Sequence, residues 1–355
     1  MTDIIGHTRQ RASLVQAVVG DTAHHAYLFV GPAGIGKRHV ALGFAALTNC
    51  VGPPQPPGND VPVEQPRTEA CGVCRHCRKI LAPDGPNHPD LAFVEPDGKR
   101  IKIAQMRELL RVIPFPPIEA RIRFVVLDPA DALGPEAANA ILKTLEEPPS
   151  TTRFVLVTSR PAALLTTIRS RCQRLGFGRL SDADVKKVLV DRCNQPADAA
   201  DALVGLADGS VGAALSLVEN PLMAKREDFV AHILALPPGD VVAAFETAQR
   251  IVDLGDARTT AFDLLERLFR DALMLSVGAD VRLFSPDLAD ALAVWARRLG
   301  PEALMARLEL LAETRRGLTT FHTNPRLTLE RLVLALTAAA GRAAVRPMIR
   351  NNEVL

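Results

Sequence analysis

Three short apolar runs punctuate the first half of the chain. Residues 25–30 read His-Ala-Tyr-Leu-Phe-Val and end at a glycine-rich turn; residues 122–128 (Ile-Arg-Phe-Val-Val-Leu-Asp) end on an acid; residues 154–158 (Phe-Val-Leu-Val-Thr) end on a hydroxyl. Runs of this kind predict strands of a parallel sheet buried on both faces. Residues 38–49 carry apolar side chains at helical spacing. In residues 134–147, Ala138, Ile141, Leu142 and Leu145 share one face before Pro148-Pro149, which predicts an amphipathic crossover helix. The alternation of strand and helix predicts an α/β domain with a parallel sheet. Beyond residue 180 the strand signal ends, and helical stretches at 182–192, 261–276 and 327–340 predict an all-helical second half. Breaks at Gly209-Ser210 and Asn220-Pro221 divide that half into a small helical domain and a helical bundle, while the Pro-rich stretch 52–67 predicts a flexible surface insertion.

Composition narrows the class. At roughly 150 residues per domain, 355 residues make a multidomain protein, and 48% hydrophobic with 23% charged residues is the balance of a folded globular chain. Lys and Arg total 42 against 40 Asp and Glu, a net charge of +2, so no global basic field drives nucleic-acid binding and any such contact is a local patch. Thirteen Phe, one Tyr and one Trp offer little for a base-stacking platform. The N-terminus lacks a basic start followed by an apolar stretch, and no apolar run is long enough to span a bilayer, so a cytoplasmic protein without membrane contact is expected. Six cysteines in such a chain point to metal ligation rather than disulfides.

The motif Gly31-Pro-Ala-Gly34-Ile-Gly36-Lys37, between a predicted strand and helix, fits a phosphate-binding loop. Its glycines let backbone N–H groups converge on phosphate oxygens at a helix N-terminus, and Lys37 supplies charge. The hydroxyl residue that ordinarily follows the Lys and ligates Mg²⁺ is replaced by Arg38. Asp128 stands where a metal-associated acid belongs, but Pro129 follows it and offers no base; Asp131 is read as a cap of the next helix. Cys71-x-x-Cys74-x-x-Cys77 forms a three-thiol knuckle, and Cys50 is assigned as fourth ligand by chain proximity, ahead of Cys172 and Cys193. Four protein ligands would close a structural Zn²⁺ site. His76 and His88 are read as neutral surface histidines. Ser170-Arg171-Cys172 lies in a basic cluster with Arg169, Arg174 and Arg179. Lys99, Arg100, Lys102 and Lys143 are read first as solvated surface.

Taken together, His25-Ala-Tyr-Leu-Phe, the cysteine knuckle, the stretch Asn139-Ala-Ile-Leu-Lys-Thr-Leu-Glu-Glu-Pro-Pro149, Ser170-Arg-Cys172 and Asn324-Pro-Arg-Leu327 resemble bacterial clamp-loader subunits of the AAA+ family over nearly the whole chain. The resemblance implies a P-loop AAA+ domain over 1–179 with a zinc module at 50–77, a helical lid over 180–220 and an oligomerisation collar over 221–355. In the motor subunits of that family Ser or Thr follows the loop Lys, Glu follows the acid ending the second strand, and a sensor Arg follows a Gly-Ser pair in the lid. Here those positions hold Arg38, Pro129 and, in Gly209-Ser-Val-Gly212, glycine. Losing all three removes most of the stabilisation phosphoryl transfer needs, so no intrinsic ATP hydrolysis is expected, while the retained Gly31–Lys37 loop leaves ATP binding open. The resemblance further implies that Arg171 acts in trans as an arginine finger on a neighbouring motor subunit. The implied role is that of a stator in a hetero-pentamer with gamma/tau and delta subunits, loading a sliding clamp on primer-template DNA within the DNA polymerase III holoenzyme. Phe262, Leu265, Phe269, Leu329, Leu332 and Leu336 offer apolar stripes for the collar or for its own core. An active ATPase motor of the same family is the alternative, followed by a P-loop kinase with a zinc knob.

Overall fold

The computed structural model describes residues 4–53, 68–220, 222–255, 258–320 and 324–338. Most of the Pro-rich insertion, the Pro221 break and residues 339–355 of the expected collar lie outside the described residues. Contacts gather the chain into two compact units, Met1–Cys193 with Gly209–Gly212, and Asn194–Asp208 with Ala213–Leu355. The segment 180–220, expected as a lid, contributes to both units.

The first unit runs α1 (Thr8–Val19), β1 (Ala26–Val30), α2 (Lys37–Thr48), α3 (Arg75–Ile80), β2 (Leu91–Val94), α4 (Ile103–Val112), β3 (Arg123–Leu127), α5 (Pro135–Glu146), β4 (Thr152–Thr158), α6 (Thr166–Arg171), β5 (Gln173–Gly176) and α7 (Asp182–Cys193). The five strands lie in the order β2-β3-β4-β1-β5, with every pairing parallel. The sheet thus carries two strands beyond the three expected. β2 has only four residues, and β5, Gln-Arg-Leu-Gly, contributes mainly polar positions at the sheet edge, so neither leaves an apolar run. Alternation along the strands sends Tyr27, Phe29 and Phe124 to one core with Phe44 of α2, where rings meet edge to face at 5.2–5.3 Å. The other face of the strands, Leu28, Val125, Leu127, Phe154 and Leu156, packs on Met106 of α4 and Ile141 and Leu145 of α5. Burial of each such side chain stabilises the unit by about 1.5–3 kcal/mol.

Among the described residues, the second unit is helical: α8 (Ala197–Ala207), α9 (Val211–Val218, which begins in the first unit), α10 (Arg226–Ala235), α11 (Val241–Asp253), α12 (Arg258–Ser276), α13 (Ala289–Leu299), α14 (Pro301–Thr320) and α15 (Pro325–Thr337). Phe262, Leu265, Phe269, Leu329 and Leu332 are buried in its core, with Leu336 packed against them. These stripes are therefore filled within the chain and present no free apolar face. Exposed apolar residues sit elsewhere in the unit, among them Val242 (68%) and Phe245 (42%) of α11 and Leu327 (64%) of α15.

Candidate functional site

The chain leaves β1 at the C-terminal edge of the sheet and turns through Gly31–Gly36 into α2. Gly34 and Gly36 have φ of 72° and 95°, which only glycine adopts without strain. Among the described residues the N–H groups of Gly36, Lys37 and Arg38 have no hydrogen-bond partner, leaving the open donors of a helix N-terminus. Lys37 is buried, and its ammonium donates to Gly31 O (2.7 Å) and Pro32 O (2.5 Å). Burial pulls its pKa down, with Asp128 and Asp131 opposing. Gly209–Gly212 closes over the loop: Ser210 Oγ donates to Ala33 O (3.0 Å) and Gly212 N–H to Gly34 O (2.8 Å). A Cβ at position 212 would lie 2.8 Å from Gly34 Cα, so in this arrangement no side chain fits there.

Arg38, on the first turn of α2, donates to Glu95 Oε1 (2.7 Å) and lies over the Phe93 ring at 4.1 Å. Asp128, just past β3, is buried enough to raise its pKa, while Arg38 and Lys37 pull the other way. Asp131 does not cap α5, whose N-cap is Gly134 without a side-chain cap. Its carboxylate instead accepts from Thr158 Oγ1 (2.6 Å) and Arg160 Nε (2.9 Å), and these bonds outweigh the burial that would raise its pKa, holding it below the ordinary value. An acid committed to two donors in this way is poorly free to orient water.

Arg171 ends α6, its side chain one-third exposed (32%). One guanidinium nitrogen donates to Thr167 O (2.9 Å) and the other to Glu146 Oε1 at the end of α5. Cys172, next in sequence, is buried in the sheet core, and burial pushes its thiol up to about 12. Its role is packing, and it takes no part in the cysteine cluster.

Cys50, Cys71, Cys74 and Cys77 bring their sulfurs within 4.8 Å of one another. The knuckle is set by backbone N–H groups donating to sulfur, from Cys71 to Cys50 (3.3 Å), Cys74 to Cys71 (3.3 Å) and Cys77 to Cys74 (3.5 Å). Burial opposes ionisation at Cys50, Cys74 and Cys77; at Cys74 the N–H groups of Cys77 and Val51 overcome it and bring the pKa to about 7, whereas Cys50 and Cys77 are raised. Four converging thiols with N–H donors on sulfur are a donor set suited to a soft or borderline cation. Cys193 lies apart at the end of α7.

His76 and His88 are not surface residues: they are 2% and 4% exposed, and their rings meet at 2.8 Å between Nδ1 and Nε2. The local sequence is polar, and nothing in it announces that His76 of α3 and His88, ahead of β2, turn their rings inward. Glu95, Glu119 and Glu146, the acids that receive Arg38, Lys79 and Arg171, were likewise not singled out by sequence, since each partnership joins residues at least 25 apart along the chain.

A family model for DNA polymerase III, delta subunit, matches residues 6–181, and one for DNA polymerase III, delta subunit, C terminal, matches residues 221–338. The delta' subunit of DNA polymerase III from Bacillus subtilis is 29% identical over 91% of this chain and 94% of its own length. The delta' subunit from Pseudomonas aeruginosa is 33% identical over 62% of this chain and 63% of its own. The gamma/tau subunit from Mycobacterium tuberculosis is 29% identical over 99% of this chain, which spans only 63% of that protein. With one model over most of the α/β unit and the other over most of the helical unit, the chain belongs to the delta and delta' family of DNA polymerase III clamp-loader subunits.

Proposed function

We propose that this chain is a non-hydrolysing stator of the replicative clamp loader. The observation that carries the reading is Arg38: its guanidinium, bonded to Glu95 and stacked on Phe93, occupies the place from which a hydroxyl would bind a divalent ion. Pro129 after Asp128, the commitment of Asp131 to Thr158 and Arg160, and the lack of room for a side chain at 212 support it from three other directions. Gly31, Gly34, Gly36 and Lys37 keep the form of a phosphate loop, and its open N–H groups are compatible with an anion. ATP hydrolysis lacks the groups that would hold the metal and orient water.

In this reading Arg171 stabilises charge on the γ-phosphate of ATP bound by an adjacent gamma/tau-type subunit, the role of an arginine finger. Its placement at the end of α6, held by the Thr167 carbonyl and Glu146 yet partly open to solvent, suits a group that must be ordered before it is delivered. The division into an AAA+ domain over 1–179, a lid over 180–220 and a collar over 221–355 belongs to the same proposal, with Val242, Phe245 and Leu327 as exposed collar residues. Its partners are gamma/tau and delta subunits, the sliding clamp and, through the complex, primer-template DNA in the cytoplasm. No helix among the described residues is long and apolar enough to cross a membrane. Cys50, Cys71, Cys74 and Cys77 would hold one zinc ion with no open position, which supplies structural cohesion rather than catalysis.

The test is Arg171→Ala in a reconstituted loader, read as clamp- and DNA-stimulated ATP turnover. A finger is worth roughly 10³- to 10⁵-fold at the site it completes, so that site should fall silent. Undiminished turnover would remove the finger assignment.

A further inference from the structure

Beside the cysteine cluster, His76 Nδ1, His88 Nε2 and a Glu119 carboxylate oxygen also converge within 4.8 Å. The trio has the residue types of a second metal site, but its hydrogen bonds indicate a different role. The Asp90 N–H donates to His88 Nδ1 (3.0 Å), which places the ring proton of neutral His88 on Nε2. His88 Nε2 lies 2.8 Å from His76 Nδ1 and 3.4 Å from Glu119 Oε1, while His76 Nε2 accepts from Arg75 Nε (3.1 Å). A cation on His88 Nε2 would move that proton to Nδ1, against the Asp90 N–H, whereas a metal-bound histidine needs an acceptor there. The trio is a bridge of buried polar groups.

The bridge has a direction. His76 and Lys79 lie on α3, the helix that carries Cys77; Lys79 Nζ donates to Glu119 Oε1 (2.6 Å), and Lys79 O accepts from the Asn87 N–H (2.9 Å). Glu119 sits in the turn 114–120, which is built on buried Asp90: its carboxylate accepts N–H bonds from Ile118 (2.7 Å), Glu119 (2.8 Å) and Ala120 (2.9 Å). Arg123 closes the same turn by donating to the carbonyls of Val112, Phe115 and Pro116. From the opposite side, buried Asn49, next to Cys50, donates to Ile122 O (2.9 Å) and accepts from Ile122 N–H (3.0 Å). The first and last cysteines of the cluster are thus each tied to one end of residues 118–122. That turn displays Phe115 (66% exposed) and Ile118 (76% exposed).

We propose that the four-thiol site is the anchor of this turn, so that metal binding at Cys50, Cys71, Cys74 and Cys77 fixes the backbone at 118–122 through two side-chain bridges, His76/Lys79–His88–Glu119 and Asn49–Ile122. The proposal rests on the metal reading given above. Clusters of satisfied buried polar groups rigidify and specify one arrangement, and losing one tie releases the segment it holds.

The experiment is hydrogen exchange of the full chain, with its metal content measured first, before and after removal of the metal by a chelator under reducing conditions. Expected is at least tenfold faster exchange at amides 118–120 and 122, with β1 and β4 amides unchanged. Glu119→Ala, with metal retained, should release 118–120 while 122 stays protected by Asn49. Unchanged exchange at 118–122 on metal loss would overturn the proposal, as would a uniform loss across β1 and β4. If the isolated chain holds no metal, the four-thiol reading fails separately. Glu119→Ala then still decides the bridge: faster exchange at 118–120 supports it, and unchanged exchange overturns it.

Discussion

Arg307→Met tests the helical unit through a single buried cation. Arg307 of α14 is 2% exposed and donates from Nε to Leu336 O (3.0 Å), from Nη2 to Ala338 O (2.7 Å) and from Nη1 to Ala303 O (3.0 Å). The first two carbonyls lie at the C-terminal end of α15, whose last carbonyls have no partner within the helix, so the guanidinium completes that helix from outside. Ala303 O is four residues back on the same helix and keeps its helical bond in the variant. Counting only the two bonds to α15, each worth about 1.5–3 kcal/mol for a charged donor, gives a loss of about 3–6 kcal/mol. Met recovers about 2 kcal/mol by burying its thioether chain in the same space. A net destabilisation of about 1–4 kcal/mol follows. Trp295, the chain's one tryptophan, stacks on Phe269 at 4.6 Å and lines the same cavity as Arg307, so its fluorescence in a urea titration reports this unit's unfolding. With a slope of about 2 kcal/mol per molar, the midpoint should fall by about 0.5–2 M. A shift under about 0.3 M, or a gain in stability, would refute the view that Arg307 holds α15 and place the desolvation of the buried charge as the larger effect.

Two further outcomes follow from the site. Arg38→Thr restores a hydroxyl to the phosphate loop but leaves Pro129 and the committed Asp131, so the purified variant should still show no ATP turnover; measurable turnover would mean that Arg38 alone silences the site. Burial raises the Asp90 carboxyl, but N–H bonds from residues 118–120 and the Arg123 guanidinium outweigh it and leave the pKa below the usual 3.8. Its contribution to stability is therefore full above pH about 4 and is lost as pH falls through the folded value. Asp90→Asn should lower stability at neutral pH and flatten the acid limb between pH about 4 and 2; parallel acid limbs in the two proteins would contradict this.

The α/β half was legible because its interior strands are continuous apolar runs, and Leu28, Val125 and Phe154 have no other place than a doubly covered sheet. β2 and β5 were not, being short or polar at their edge positions, where pairing with one neighbour suffices. The glycine-rich turn 31–37 between β1 and α2 and the convergence of the cysteine knuckle were legible because spacing along the chain sets both. The inward turn of His76 and His88 was not, since it depends on Glu119 and Asp90 arriving from distant segments. Asp131 misled for a related reason: its position before α5 suggests a cap, but Arg160 and Thr158 reach it first across β4. The stripes of Phe262, Leu265 and Phe269 follow helical periodicity equally well for a core or an interface, and only packing against α14 and α15 assigns them to the core.

The most direct test of the stator account is ATP turnover by the purified chain alone, with bound metal quantified in the same preparation. No turnover above background is expected, together with about one zinc per chain. Robust turnover by the isolated chain would contradict it, because a site with Arg38 and Pro129 in place of a hydroxyl and an acid would then be a working motor.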